Sequence, residues 1–189
     1  MYQQEPKPMS VERPDQELMM DYKNTRSPDA MVELFRRYRR PIFHYLLRRT
    51  GSPVRSEDLV QEVFANLMSS APRYQPTGSF KAYLYRIAAN LSAKEWRKVQ
   101  RRVPLNHEPV EAGPGAEGQV VEKESATALR AALLDLEPDQ RDAIVLREYE
   151  GLSYAEIADV LAIPAGTVKS RIARGKLALR QALVQAASA

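Results

Sequence analysis

Three observations on the 189-residue chain predict an all-α fold. Apolar residues recur at three- and four-residue spacing through several segments, no alternating strand pattern persists at useful length, and one stretch bearing prolines and glycines divides the helical pattern in two. That stretch, 103–124, reads VPLNHEPVEAGPGAEGQVVEKE. It is expected to be a linker between a helical domain over 15–102 and a second over 125–189. Residues 1–14, polar and proline-bearing, form a tail expected to be disordered.

The first domain opens its helical pattern with MVELFRRYRRPIFHYLLRR, where Leu34, Phe35, Tyr38, Ile42, Tyr45 and Leu46 recur at helical spacing. Pro41 falls inside it and predicts a break or kink. SEDLVQEVFANLM follows, Ser56–Met68; Ser56 is positioned to cap it, and Glu57 and Asp58 suit the positive end of a helix. Next comes the short loop RYQPTGS, then SFKAYLYRIAANLSAKEWRKVQRR. Advanced by about 100° per residue, Phe80, Leu84, Ile87 and Leu91 form a stripe flanked by Tyr83 and Ala88, with Tyr85, Arg86 and Ala89 away from its centre. Continued further, the stripe would bury Lys94 and Lys98, which is costly for unpaired charges. The helix is therefore expected to project beyond the core near Ala93. Its end carries Lys94, Arg97, Lys98, Arg101 and Arg102 against Glu95 alone. Tyr85, Arg86 and Trp96 can serve as packing residues or as contacts to a nucleic-acid strand, and both readings stay open.

In the second domain, GLSYAEIADVLAIPAGTVKSRIARGKLALRQAL carries a Ser153–Glu156 capping-box spacing, an inner face of Ile157, Ala158 and Leu161, and an interruption ending at Pro164. Val168, Ile172 and Leu179 give the following helix an apolar side, while Lys169, Ser170, Arg171, Arg174 and Lys176 occupy the rest without an acid. Two short helices joined by a tight turn, the second basic outward, form a helix-turn-helix fitted to a major groove.

The balance of residue types narrows the function further. Net charge is +4, and no run approaches the roughly 18 apolar residues of a membrane span, so no membrane insertion is expected. No basic-then-apolar leader opens the chain and cysteine is absent, which fits a cytoplasmic protein without disulfides or thiolate metal sites. His44 and His107 lie far apart, so zinc is not expected, nor is any other cofactor. A glycine-rich phosphate loop and a recognisable catalytic triad are also absent, so no catalytic residue is assigned.

RDAIVLREYEGLSYAEIADVLAIPAGTVKSRIARGKLALR resembles region four of extracytoplasmic-function sigma factors, the small bacterial RNA polymerase initiation subunits. SEDLVQEVFANL with SFKAYLYRIAANL resembles their region two, in the family's order. The resemblance implies a non-catalytic factor that binds core RNA polymerase and promoter DNA, both duplex and melted. It implies polymerase docking through Asp58, Gln61 and Glu62, with Leu59, Val63 and Phe64 as core. The minus-10 element would be met by Tyr74, standing where an aromatic platform for a flipped base would be useful, with Gln75, Asn90, Lys94, Arg97 and Lys98. The minus-35 duplex would be met by Arg147, Thr167, Lys169, Ser170, Arg171 and Arg174. Many relatives carry a bulky residue where this chain has Ala173, and Gly175 is a second departure, which bears on promoter preference. Family members are commonly held inactive by an anti-sigma factor wedged between the domains, a further candidate partner. A stand-alone helix-turn-helix regulator with a helical N-terminal interaction domain is the alternative.

Overall fold

The computed structural model describes residues 13–102 and 120–187, with side chains over 13–97 and 127–186. Within these residues every regular element is helical: α1 Asp15–Thr25, α2 Pro28–Thr50, α3 Pro53–Ser70, α4 Phe80–Arg102, α5 Val120–Asp135, α6 Pro138–Ile144, α7 Tyr154–Leu161 and α8 Ala165–Ala187. The helix α5 begins at Val120, so the last five residues of the expected linker are already helical. The remainder of that linker and most of the tail lie outside the described residues.

Local chemistry sets the helix ends. Ser27 caps α2 by accepting from the Ala30 N–H, with Pro28 in the first turn, and α2 stops at Gly51, whose positive φ of 70° places it in the left-handed region open to glycine. Pro41 does not break α2. A proline inside a helix costs about 3 kcal/mol, but Leu34, Tyr38, Ile42, Tyr45 and Leu46 are all buried on the same helix. Each gains roughly 1.5–3 kcal/mol from burial, so packing on both sides of the proline outweighs its penalty.

The helix α3 begins a turn earlier than its acidic residues suggest. Ser52 accepts from the Arg55 N–H with Pro53 behind it, while Ser56 is fully buried inside the helix, its hydroxyl donating to the Ser52 carbonyl at 2.7 Å. Ser56 is thus a core hydroxyl and not the cap, because the serine preceding a proline takes that position.

The predicted stripe of α4 is rotated in the structure. Tyr85 and Ala89, expected off-centre, are buried, while Tyr83, Ile87 and Leu91 are only partly so. The cause is a second packing partner: α7 lies against α4, so this helix is covered from both halves of the chain. One hydrophobic core runs through both halves, from Leu18 to Ala89 and from Ala143 to Ile172.

Buried polar groups fix the contact between the halves. The Arg49 guanidinium, at the end of α2, pairs with Asp142 of α6 at 2.9 Å and donates to the Tyr45 hydroxyl and the Ala89 carbonyl. Arg141 donates across the junction to the Arg49 carbonyl at 2.8 Å and, within its own half, to the carbonyls of Leu134 and Leu136. It therefore satisfies carbonyls at the C-terminal ends of two helices, one from each half. Tyr85 donates to the Glu150 carboxylate, Lys81 to the Glu150 carbonyl, and the Arg48 guanidinium sits 4.0 Å from the Tyr149 ring centroid.

Burial outweighs the attraction of Arg49 and pushes the Asp142 carboxyl up to about 6 from an ordinary 3.8. The folded chain then holds this proton more tightly than the unfolded one. Its contribution to stability is present below about pH 4 and is lost as pH rises through about 6. Asp142→Asn is expected to remove that loss, measured as the pH dependence of urea unfolding relative to wild type. At pH 7, Asp142→Ala leaves the largely buried Arg49 guanidinium without its carboxylate and should cost about 3–5 kcal/mol.

Candidate nucleic-acid and polymerase interfaces

The recognition helix is held from behind. Ser153 and Glu156 form the reciprocal capping box that starts α7, and Ala162, with a positive φ of 53°, ends it. Pro164 then precedes α8, whose Val168 and Ile172 are buried against the core. Gly175 is buried on the same inner side, and a Cβ there would stand 2.6 Å from the Ile144 Cδ1. Any side chain at 175 would therefore force the buried Ile144 of α6 to shift.

Burying these positions turns Lys169, Ala173 and Arg174 outward, all exposed. Thr167 is half-buried at the start of the helix, and Ser170 is also half-buried, its hydroxyl donating to the Thr167 carbonyl at 2.9 Å. Arg171 is tied to Asp139 of α6 and is 24% exposed, so it presents an oriented guanidinium in place of a free one. Arg147 is exposed, donates to the Leu152 carbonyl at 2.9 Å and lies 5.1 Å from the Tyr154 ring centroid. The six expected duplex-contact residues thus gather around the start and outer face of one helix and the segment that supports it.

The second face lies on α4. Asn90, Lys94 and Arg97 are exposed along it, and Gln75 is exposed on the preceding loop. Lys98 lies in α4, but its side chain falls outside the described residues. Arg86 is exposed with its guanidinium 5.5 Å from the Tyr83 ring centroid, and Trp96 is half-buried.

Tyr74 departs from the expected platform. The side chain is 2% exposed, its ring packs edge-on against Tyr83 and Phe80 at 5.0 and 6.2 Å, and its carbonyl accepts from Lys23 at 2.6 Å. In this arrangement the ring anchors the 74–79 loop to the core and offers no face to a base. Burial also pushes the Tyr74 hydroxyl's pKa up. The spacing of RYQPTGS shows where the loop lies but not which way the ring turns, and two aromatic neighbours, Phe80 and Tyr83, supply the apolar niche that decides it. Tyr85 is likewise a buttress here, fully buried and 5.2 Å edge-on from Tyr45.

A third surface lies on α3. Leu59, Val63 and Phe64 are buried as expected, leaving Asp58, Gln61 and Glu62 exposed together. Beside them is an apolar feature that includes Phe35, one of the residues placed on the helical repeat. Phe35 is 38% exposed and Met68 39%, Val32 is exposed on the same face of α2 as Phe35, and the Phe35 and Phe64 rings meet at 4.8 Å. Phe35 directly follows the buried Leu34, and periodicity alone does not show that it faces outward; only the packing of α2 on α3 separates the two.

Helical halves joined through a shared core, one bearing an acid-free recognition helix and the other an exposed cationic helix, define a two-domain helix-turn-helix protein. The Sigma-70 region 2 model matches residues 34–102, and the Sigma-70, region 4 model matches 126–179. The chain is 32% identical over 167 residues to the ECF RNA polymerase sigma factor SigW of Bacillus subtilis, covering 82% of this chain and 89% of that one. It is 37% identical over 161 residues to the ECF RNA polymerase sigma factor SigE of Mycolicibacterium smegmatis, covering 82% of this chain and 62% of that longer one. Among solved structures, the sigma factor RpoE of Bartonella quintana in complex with the anti-sigma factor NepR superposes with a TM-score of 0.71 at 25% identity, covering 80% of this chain and 94% of that one. CnrH, solved with the cytosolic domain of CnrY, shares the fold at a TM-score of 0.69 and 22% identity, with 91% and 97% covered. The chain belongs to the extracytoplasmic-function sigma factors, a family of transcription initiation factors.

The buried anchor at position 74 can be separated from a surface contact by stability. Tyr74→Ala should cost about 3–5 kcal/mol, in the range of large aromatic truncations in cores. Gln75→Ala should stay within about 0.5 kcal/mol, as exposed substitutions do. Chemical denaturation of both variants checks the contrast.

Proposed function

We propose that this chain docks on bacterial core RNA polymerase through α3, brings it to promoters by seating α8 on a minus-35 duplex, and holds the opened minus-10 strand against α4 and the 74–79 loop. The observation that carries this reading is the presence of two separate exposed cationic helix faces, each in the half matched to its own sigma region. Lys169, Arg174 and Arg147 supply phosphate or base-edge donors on one face, with Thr167 and Ser170 at the helix start and Arg171 oriented by Asp139. On the other, Asn90 carries an amide able to bond a base edge, followed a turn later by Lys94 and Arg97, with Lys98 continuing the series.

Polymerase docking is assigned to Asp58, Gln61 and Glu62 together with the adjoining Phe35 and Met68. Apolar area beside polar groups is how a protein interface combines affinity with register. Because Tyr74 is buried, base capture by its ring would require the loop to release it, so Gln75 and Asn90 carry the strand contact in the arrangement seen here. No phosphodiester chemistry is assigned to the chain; the polymerase supplies it. A cytoplasmic location follows from that partnership, and no helix among the described residues is long and apolar enough to cross a membrane. The RpoE–NepR complex supports an anti-sigma factor as a further partner.

Transcription with purified core polymerase on a candidate promoter tests the reading, and promoter-specific initiation that requires the chain is the expected result. Duplex binding without polymerase-dependent initiation would favour a stand-alone regulator. Arg174→Ala should weaken promoter binding and, if the contact is to phosphate, reduce the slope of log affinity against log salt by about 1. Asn90→Ala should leave polymerase binding intact and lower strand opening roughly fivefold to a hundredfold, the loss of about 1–3 kcal/mol of base contact. Permanganate reactivity of unpaired thymines reads the opening, and gel shifts read the occupancy.

A further inference from the structure

A cleft of about 410 Å³ opens where the two halves meet, lined by Arg40, Pro41, His44 and Arg48 of α2, Lys81 of α4, and Tyr149 and Glu150 of the second half. Its size falls within the roughly 300–1,000 Å³ of small-molecule sites. Arg40, His44 and Arg48 follow one another at four-residue spacing, which stacks them on one face of α2. Lys81 stands across from them, its ammonium on the Glu150 carbonyl.

The charge in this cleft is compensated only in part, by the Glu150 carboxylate, which Lys81 and Arg48 attract without pairing with it directly. Among the described residues, Arg40, Arg48 and Lys81 form no ion pair with a carboxylate within 4 Å. Glu150 is the one acid in the lining; its carboxylate is 8% exposed as part of its residue and already accepts the Tyr85 hydroxyl. Arg130, on α5, adds to the same field. Burial first, and then Arg48, Arg40 and Arg130, hold the His44 imidazole below its ordinary pKa. Arg48 is further fixed over the Tyr149 ring, so its guanidinium is positioned before any ligand arrives.

Three cations converging on one concavity, two of them planar guanidinium forks, match an anion with several oxygens and more than one negative charge. We propose that the cleft binds a free oligophosphate, either inorganic triphosphate or the phosphate tail of a nucleotide. Tyr149 and Glu150 wall the cleft from the second half, so the complete site exists only while the halves are docked. A ligand that binds only the docked form stabilises it by mass action. The site is separate from the recognition face of α8 and from Asn90, Lys94 and Arg97, and it does not depend on their assignment to promoter DNA.

Isothermal titration of the full-length chain with inorganic triphosphate tests the proposal, with a short single-stranded oligonucleotide as the second titrant. One triphosphate is expected per chain, with a rise in melting temperature. Arg40→Gln and Arg48→Gln, both at exposed or half-exposed positions, should each weaken it roughly tenfold or more, the loss of a charge-assisted hydrogen bond. Glu150→Gln, which keeps an acceptor for Tyr85 and removes the one negative charge, should tighten it. Lys94→Gln with Arg174→Gln should weaken the oligonucleotide and leave triphosphate unchanged. The proposal is overturned if triphosphate does not bind at millimolar concentration. It is equally overturned if binding is indifferent to Arg40, Arg48 and Glu150, or follows Lys94 and Arg174, which would assign the phosphate affinity to the nucleic-acid faces.

Discussion

The buried pair of Arg49 and Asp142 is the constraint around which the two halves are arranged. Charges removed from water are tolerated only when geometry and further hydrogen bonds offset their desolvation. Here groups from several helices supply the partners, although burial still outweighs the attraction at Asp142. Arg49 reaches Asp142 of α6, the Tyr45 hydroxyl of its own helix and the Ala89 carbonyl of α4, while Arg141 returns across the junction to the Arg49 carbonyl. Any slide of one half against the other breaks the two that cross the junction, Arg49 with Asp142 and Arg141 with the Arg49 carbonyl. Apolar contacts alone would permit neighbouring registers, since hydrophobic attraction has no direction. The polar junction selects one.

That selection determines what α4 can be. Its first three turns are covered on two sides, by α2 and α3 from the first half and α7 from the second, which is why Tyr85 and Ala89 are buried. Beyond Ser92 none of the described residues of α4 is buried, and the basic series begins with the exposed Lys94 and Arg97. One helix therefore serves as a core strut at its start and a cationic surface at its end. Between them, Asn90 marks the outward side of the packed part. The same division applies to α8, where Val168, Ile172 and Gly175 face inward and Lys169, Ala173 and Arg174 face outward. In both helices the inner face fixes the angle at which the outer face is offered.

Much of this was legible in the sequence because it depends on short-range periodicity. The all-helical class, the capping box at Ser153 and Glu156, the outward turn of Lys169 and Arg174, and the exposed acids of α3 all follow from spacing along a single helix. What the sequence did not disclose depends on a partner distant in the chain. A helical wheel placed Tyr85 off the core because it counts one buried face, and α4 has two. Phe35 was placed on the helical repeat, and its ring is partly exposed against Phe64. Tyr74 was read as a surface ring, but Phe80 and Tyr83 fold over it. Ser56 departs from its expected role for a more local reason, since Ser52 with Pro53 is a stronger start; Pro41, read as a break or kink, leaves α2 unbroken because the packing on both sides of it exceeds the cost of the lost hydrogen bond.

The junction also bears on how a two-domain DNA-binding chain could be regulated. In the docked arrangement the outer faces of α4 and α8 are both exposed, so docking does not cover either cationic surface. What docking fixes is the distance and angle between them. A protein that seats its two halves on separate DNA elements needs that angle to suit the DNA, and the polar junction sets the free energy of changing it. A carboxyl held near pH 6 and a basic cleft walled by Glu150 and Tyr149 both lie at this junction. Protons and anions would therefore act on the relation between the faces while leaving the residues on each face untouched. Affinity for DNA and the geometry of its presentation are then set by different parts of the molecule, the first by the exposed faces of α4 and α8 and the second by the polar side chains of the junction between them.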